Sequence, residues 1–478
     1  MLRSRPGNVL VGMGIAMTLA FFGLAGVTQA GAAPSPIQHV VIIIQENHSF
    51  DNVLGAFCAD VATHSIVRRG TDSRCVGATT GNDAGQTVPL TSAPDIVPSS
   101  PHSFATQQRE IDRGRMDEFG VATNYEQYKA LGGPCPAGSC IPNLVRLAKN
   151  YTVSDHTFEL NSSPSFEGHL AFAAATQDGF FGLNPEYYTN GPQPRAEGGG
   201  WGCDSGTTTQ WGPAQILVPA CVPNAAGSLG PNWTGYRGRK APHVPTIMDQ
   251  LATAHKSWKI YGGSGAAVGT RAFQASGYQW AICPSFADCE YSAQRQHLVP
   301  AAQFLTDVSG GHLPSFSIVT PVESNSQHNG SSMSQGDNWI GSLISRLQAS
   351  RAWSSTAVFI TYDDCGCFYD HLDPLQYNAS WGVRVPMVIV SPFAKAGFTD
   401  TRPTTYAGIL KFAKNELGLP ALNSTETDAY GYANSFCFNR STGCTPAGTA
   451  KIRMVNQHVA PFTAAERAAQ AAAAEEDT

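Results

Sequence analysis

Ile37-Gln38-His39-Val40-Val41-Ile42-Ile43-Ile44 decides the fold class. A strand with one wet face alternates apolar and polar residues, and this β-branched run does not, so both of its faces are expected to be buried. Similar runs return at Ser315 to Thr320, Ala357 to Tyr362 and Val385 to Val390. Between the first two of these, Asp337 to Ala349 places Ile340, Leu343, Ile344 and Leu347 at helical spacing. Strand, helix, strand and a further buried strand predict an α/β fold, a largely parallel central sheet flanked by helices. Thr246 begins another helix with Asp249 in the capping-box position, and Trp258 to Tyr261 reads as a strand after it. Ile141 to Phe158 reads as helix, loop and strand, and Leu170 to Ala175 as an apolar helix.

The rest of the composition fits that core. Of 478 residues, 42% are hydrophobic and 14% charged, which excludes wholesale disorder. Lys and Arg number 30 against 36 acids, a balance that recommends no nucleic-acid partner. The 48 glycines and 31 prolines follow no period, so long loops are expected and repeat architectures are not. Residues 176–240 are rich in Gly, Asn, Pro, Trp and Tyr and read as a disulfide-pinned, cap-like insertion within a domain spanning 31–463. The Ala- and acid-rich end, 464–478, reads as a short solvated helix or frayed tail.

Residues 1–30 have the form of a signal peptide: Arg3 and Arg5, an apolar stretch from Val9 to Val27, then Thr28-Gln29-Ala30. Its removal leaves a secreted or periplasmic, cell-envelope protein whose formal charge falls from −6 to −8. An uncleaved membrane anchor is the competing reading. Twelve cysteines, all beyond residue 30, form sequence-local couples and agree with an oxidising compartment. The couples are Cys58 with Cys75, Cys135 with Cys140, Cys203 with Cys221, Cys283 with Cys289, Cys365 with Cys367, and Cys437 with Cys444. A strained disulfide is expected first for Cys365 and Cys367, with a redox or metal role as the alternative.

Chemistry is expected at the carboxyl ends of the parallel strands. Gln45-Glu46-Asn47-His48-Ser49-Phe50-Asp51 follows the first run. A loop with Glu323, His328 and Asp337 follows the second. Asp363-Asp364-Cys365-Gly366-Cys367-Phe368-Tyr369-Asp370-His371 follows the third, whereas Ser391-Pro392 after Val390 brings no ionisable group. Carboxylates, an amide and imidazoles at one rim suit a divalent cation that polarises a phosphoryl oxygen. Capping of helices and turns is the plainer reading of each run alone. Two adjacent carboxylates at Asp363 and Asp364 weaken that plainer reading, because like charges at a strand end need a cation or a proton. The candidate nucleophile is Ser165, in Ser163-Pro164-Ser165-Phe166-Glu167-Gly168-His169, at the start of an expected helix where backbone N–H groups are free. An ordinary N-cap is the alternative, and GxSxG is absent.

These same stretches resemble the bacterial phosphoesterase family, which includes phospholipases C and secreted acid phosphatases of the alkaline phosphatase-like superfamily. Gln45 to Asp51 is similar to its QENRSFD signature, with His48 where arginine is usual. Pro101-His102-Ser103 with Gly114 to Phe119, Ser326-Gln327-His328 with Gly336-Asp337, Thr361 to His371, and Gly382 to Pro386 with Ser391-Pro392 match further motifs in order. The resemblance implies a divalent metal (Ca²⁺, Mn²⁺, Mg²⁺ or Zn²⁺) held by Glu46, Asn47, Asp363, Asp364 and the Ser165 oxygen. It implies Ser165 as nucleophile through a phosphoserine intermediate, with His102, His328 and His371 lining the phosphate pocket. The expected substrate is a phosphate mono- or diester, including phospholipid. Trp201, Trp211, Trp233, Tyr187 and Tyr188 either touch a membrane periphery or pack the cap. A secreted phosphate-ester-binding protein of the same fold without catalysis is the alternative function.

Overall fold

The computed structural model describes residues 35–62, 74–98, 100–120, 122–129, 140–187, 200–233, 242–263 and 277–459, with 461, 463 and 464. The signal-peptide stretch, Cys135, Tyr188 and residues 465–478 lie outside them. The chain divides at Ser35, and the unit from Pro36 onward carries everything that follows.

Its centre is an eight-stranded sheet in the order Leu298–Val299, Trp258–Tyr261, Phe316–Val319, His39–Gln45, Thr356–Tyr362, Met387–Val390, Thr152–Ser154, Phe398–Asp400. The β-branched run is the middle of this sheet. It pairs in parallel with both neighbours, Val40 beside Phe316 and Ala357, Ile43 beside Val319 and Ile360. Alternate side chains explain why Val40 to Ile44 has no polar member. Val40, Ile42 and Ile44 pack with Leu170, Met248, Ile409 and Phe412, from the helices Ser165–Ala174, Ile247–Thr253 and Ala407–Leu417. Val41 and Ile43 pack on the other side with Leu144, Leu147, Ile340 and Ile344, from the helices Pro142–Asn150 and Met333–Ala349. Each such side chain contributes about 1.5–3 kcal/mol on burial, so a polar residue on either face would be costly.

Met387–Val390 is antiparallel to both of its neighbours. Parallel neighbours need a crossover, usually a helix, and residues 363–386 contain only one short 3₁₀ turn, Pro374–Gln376. The chain therefore loops over the rim and runs straight back. That reversal explains why nothing ionisable follows Val390: this strand ends at the opposite edge, and Arg384 lies just ahead of its start.

Thr246 and Asp249 form the reciprocal cap expected of them. Asp337 accepts the backbone N–H groups of Asn143 and Leu144 at 3.0 and 2.8 Å, so it caps the helix Pro142–Asn150. Disulfides join Cys58–Cys75, Cys203–Cys221, Cys283–Cys289 and Cys437–Cys444. Cys140 is bonded as well. Cys365 and Cys367 are free thiols, which corrects the expected bridge; with one residue between them, closing it would distort the turn they occupy. Within 176–240, the strands Glu186–Tyr187, Thr207–Trp211 and Ile216–Pro219 make a small antiparallel sheet beside the Cys203–Cys221 bond.

Candidate active site

The strands His39–Gln45, Phe316–Val319 and Thr356–Tyr362 are parallel neighbours, so the loops leaving their carboxyl ends meet at one edge. Asn47 sits at the meeting point with φ near +60°, a left-handed conformation that asparagine tolerates better than most residues. Its backbone N–H donates to Asp363 Oδ1 at 2.9 Å. Its side-chain amide faces two imidazoles, 2.9 Å from His328 Nε2 and 3.3 Å from His102 Nε2. Both rings turn Nδ1 toward a backbone carbonyl at 2.8 Å, Ser100 for His102 and Asn329 for His328. A carbonyl only accepts, so Nδ1 carries the proton and Nε2 offers its lone pair to the Asn47 amide. Trp280 stacks on His328, with ring centroids 5.8 Å apart.

Ser165 is the first residue of its helix, and Pro164 precedes it as N-cap. The Ser165 hydroxyl lies 3.1 Å from Asp364 Oδ2 and 3.3 Å from Asn47 Oδ1. The helix comes close because Gly168 faces the strand end: a Cβ there would lie 2.7 Å from the Asp363 carbonyl oxygen. Behind the serine, Phe166 meets Trp201 edge to face at 6.1 Å, and the Phe166 N–H donates to Asn184 Oδ1 at 3.0 Å. The 176–240 segment thus buttresses this helix terminus.

The structure also places a residue that the sequence reading did not select. His169 lies one turn beyond Ser165, and i, i+4 spacing puts the two on one helical face. Its Nδ1 donates to the Ser165 carbonyl at 2.7 Å, which leaves Nε2 as a lone pair 3.3 Å from Glu46 Oε1. Asp363 Oδ2 is 3.7 Å from the same ring. Burial pushes the His169 pKa down, against the opposing pull of Asp363. Glu46, His169 and Asp363 are all buried, and one ligand atom from each lies within 4.8 Å of the others. A lone pair pointed at a carboxylate in a buried site is repulsive unless a proton or cation lies between them. Among the described residues Asp363 Oδ2 and His169 Nε2 have no hydrogen-bond partner, so the residues present fit a divalent cation.

Asp364 adds to that charge. Burial, and then the neighbouring Asp363 carboxylate, push its pKa up to about 7. Its Oδ1 accepts the Gly366 N–H at 2.7 Å, and His102 Nε2 stands 4.0 Å from Oδ2. Glu159, also buried, accepts the Cys365 N–H at 2.8 Å and the Ser163 N–H at 3.3 Å, bracing the loop on each side of the serine.

Of the residues selected from sequence, Asn47, Ser165, Asp363, Asp364, His102 and His328 form one hydrogen-bonded or ion-paired set, and Glu46 joins it through His169. His371 is placed differently. Its Nδ1 pairs with Asp51 Oδ2 at 2.5 Å, in a network with Arg384 and Asp370. His48, at the position where arginine is usual, is fully buried between Asn52 and the Gln327 carbonyl, and burial lowers its pKa to about 4.

With this geometry in place, comparison with known proteins gives a consistent picture. The phosphoesterase family model matches residues 37–420. The non-hemolytic phospholipase C of Burkholderia pseudomallei (strain K96243) is 23% identical over 422 residues, covering 79% of this chain and 54% of the relative. The phospholipase C A of Mycobacterium tuberculosis (strain H37Rv) is 22% identical, covering 87% of this chain and 81% of the relative. The chain therefore spans little more than half the length of the Burkholderia protein and of a similar Pseudomonas aeruginosa phospholipase C, of which it covers 58%. Among solved structures, an alkaline phosphatase superfamily protein from Vibrio parahaemolyticus aligns at a TM-score of 0.36 and 12% identity. That alignment covers 82% of this chain and 69% of the other.

Proposed function

The chain belongs to the phosphoesterase family, and from that premise we propose that it is an exported, metal-dependent hydrolase of phosphoric esters with Ser165 as nucleophile. The observation that carries the reading is the position of the Ser165 hydroxyl, at a helix N-terminus and within 3.3 Å of both Asp364 and Asn47. Glu46, Asn47, Asp363, Asp364 and the serine oxygen would hold the cation, with His169 as a further nitrogen donor beside Glu46 and Asp363. When bound, a divalent cation there lowers the pKa of the serine hydroxyl and polarises a phosphoryl oxygen.

The chain's own groups account for the remaining steps. Ser165 gives its proton toward Asp364 Oδ2 and attacks phosphorus in line, forming a phosphoserine. The positive end of the helix dipole at Ser165 favours the negative charge that gathers next to the serine. His102 and His328 are fixed in one tautomer by backbone carbonyls and face the pocket with Nε2. The proton that Asp364 takes from the serine passes to His102 Nε2, 4.0 Å from Asp364 Oδ2, and from there to the alcohol oxygen as its bond to phosphorus breaks. Water then repeats the displacement at the phosphoserine.

Two ester classes compete. The relatives named phospholipase C favour a diester. Trp201 and Trp233 are buried and Trp211 donates its indole N–H to the Asp178 carbonyl at 2.7 Å, an inward packing that favours a small monoester over insertion at a lipid surface. Among the described residues no helix is long and apolar enough to cross a membrane.

The test is a rate comparison of the purified chain on p-nitrophenyl phosphate and p-nitrophenylphosphorylcholine, with and without chelator. The expected result is chelator-sensitive release of p-nitrophenol, restored by a divalent cation. Faster monoester turnover identifies the acid-phosphatase type and faster diester turnover the phospholipase C type. Absence of turnover on both, with metal restored, would overturn the hydrolase reading in favour of a phosphate-ester-binding protein.

A further inference from the structure

Directly after Asp363 and Asp364 the chain passes through Cys365-Gly366-Cys367, whose thiols are free and fully buried. Gly366 and Cys367 both have left-handed backbones, φ +53° and +57°, so the turn folds tightly. A Cβ on Gly366 would lie 2.2 Å from the Asn47 carbonyl oxygen, so the turn is pressed against the catalytic loop. The Cys367 N–H donates to Cys365 Sγ at 3.3 Å, a contact that stabilises negative charge on sulfur. The helix Phe104–Ile111 brings Glu110 to the same place. Its carboxylate is buried, and among the described residues neither of its oxygens has a hydrogen-bond partner or a salt bridge. One ligand atom each from Glu110, Cys365 and Cys367 lies within 4.8 Å of the others. Ile111, Met116, Phe119 and Tyr369 surround them.

We propose that Glu110, Cys365 and Cys367 form a second metal site, a thiolate site for zinc, distinct from the oxygen-rich site at Ser165. Two sulfurs and one carboxylate are the donor set of a thiophilic d¹⁰ cation, not of calcium or magnesium. Tetrahedral Zn–S bonds of about 2.3 Å require sulfurs about 3.8 Å apart, and the two sulfurs here lie within 4.8 Å of each other. Each thiol gives up its proton to solvent on binding, so no oxidant takes part. The site braces the turn whose Gly366 N–H holds Asp364 at 2.7 Å, and so fixes a carboxylate that faces the serine.

Loading the full chain with Co²⁺ tests the proposal by a readout independent of turnover. A thiolate-to-cobalt charge-transfer band in the near ultraviolet is expected, because oxygen and nitrogen ligands alone do not produce one. It should persist in Asp363→Asn and disappear in Cys365→Ser/Cys367→Ser, with about one equivalent of bound metal lost per chain. Glu110→Gln, which keeps both thiols, should weaken the band and the metal content, and it serves if the double variant fails to fold. The proposal is overturned by absence of the band in a protein whose two thiols become reactive on unfolding. It is equally overturned if no thiol appears on unfolding without reductant, because Cys365 and Cys367 would then be bridged. An unchanged band and metal content in Glu110→Gln would also overturn it.

Discussion

Two charged clusters grow from the same pair of adjacent strands and are solved in opposite ways. Residues 46–51 and 363–371 leave His39–Gln45 and Thr356–Tyr362. The early members of each run, Glu46 and Asn47 with Asp363 and Asp364, meet around Ser165. The later members, Asp51 with Asp370 and His371, meet around Arg384. In this second cluster the guanidinium is fully buried and bonds Asp370 at 3.1 Å and Asp51 at 3.2 Å, while stacking 4.1 Å from the Phe50 ring centre. Burial alone would raise the Asp51 pKa, but the charges of His371 and Arg384 outweigh it and hold it below the ordinary value. Asp370 stays raised at about 6, because for it burial outweighs Arg384. Around Ser165, by contrast, no Lys or Arg side chain forms a salt bridge with Glu46, Asp363 or Asp364 among the described residues. Their partners there are amides, imidazoles and a hydroxyl. The Arg384 cluster carries its own cation; the Ser165 cluster has none among the described residues.

That contrast can be broken or sharpened by substitution. The largest effect belongs to Ser165→Ala, which should lower kcat on phosphate esters by at least about a thousandfold with the fold intact. A kcat near that of the wild type would move the nucleophile elsewhere. Asp364→Asn comes next, with a loss on the order of a thousandfold, about 4 kcal/mol of transition-state stabilisation. It should also shrink the rise in Tm that added divalent cation produces, as measured by calorimetry. An undiminished rise would mean that the cation does not engage Asp364.

In the other cluster the effect should fall on stability. Arg384→Met leaves Asp51 and Asp370 buried without their guanidinium and should cost about 3–5 kcal/mol in urea unfolding. A loss below about 1 kcal/mol would show that the two carboxylates accept burial by taking up protons instead. The smallest effect is that of His371→Gln. Burial lowers the His371 pKa, but the Asp51 charge more than reverses this and raises it overall. The imidazolium's contribution is therefore fully present below the unfolded value of about 6.5 and is lost as pH rises through the folded pKa. The Tm gap between wild type and variant should be widest near about pH 5 and close at higher pH. A gap that widens with pH would contradict the Asp51–His371 pairing.

The central sheet and its rim were legible in the pattern of the chain. The unbroken apolar stretch Val40 to Ile44 must be covered on both faces, and parallel strands end at one edge, so Glu46, Asn47, Asp363 and Asp364 are expected at one rim. Tertiary structure decided what each later residue does. Asp337 reads like a rim carboxylate but lies on a helix that packs against Pro142–Asn150, whose terminus it caps. His371 shares a short run with Asp363, yet the return of the chain to Arg384, itself required by the antiparallel strand, draws it to Asp51. The i, i+4 spacing of Ser165 and His169 was legible as a shared helical face. That this face meets Glu46 depends on how closely Gly168 lets the helix approach the Asp363 carbonyl. Periodicity fixes which side chains share a face. Which charges find a partner across that face depends on packing between segments distant in sequence, and only the folded chain sets those distances.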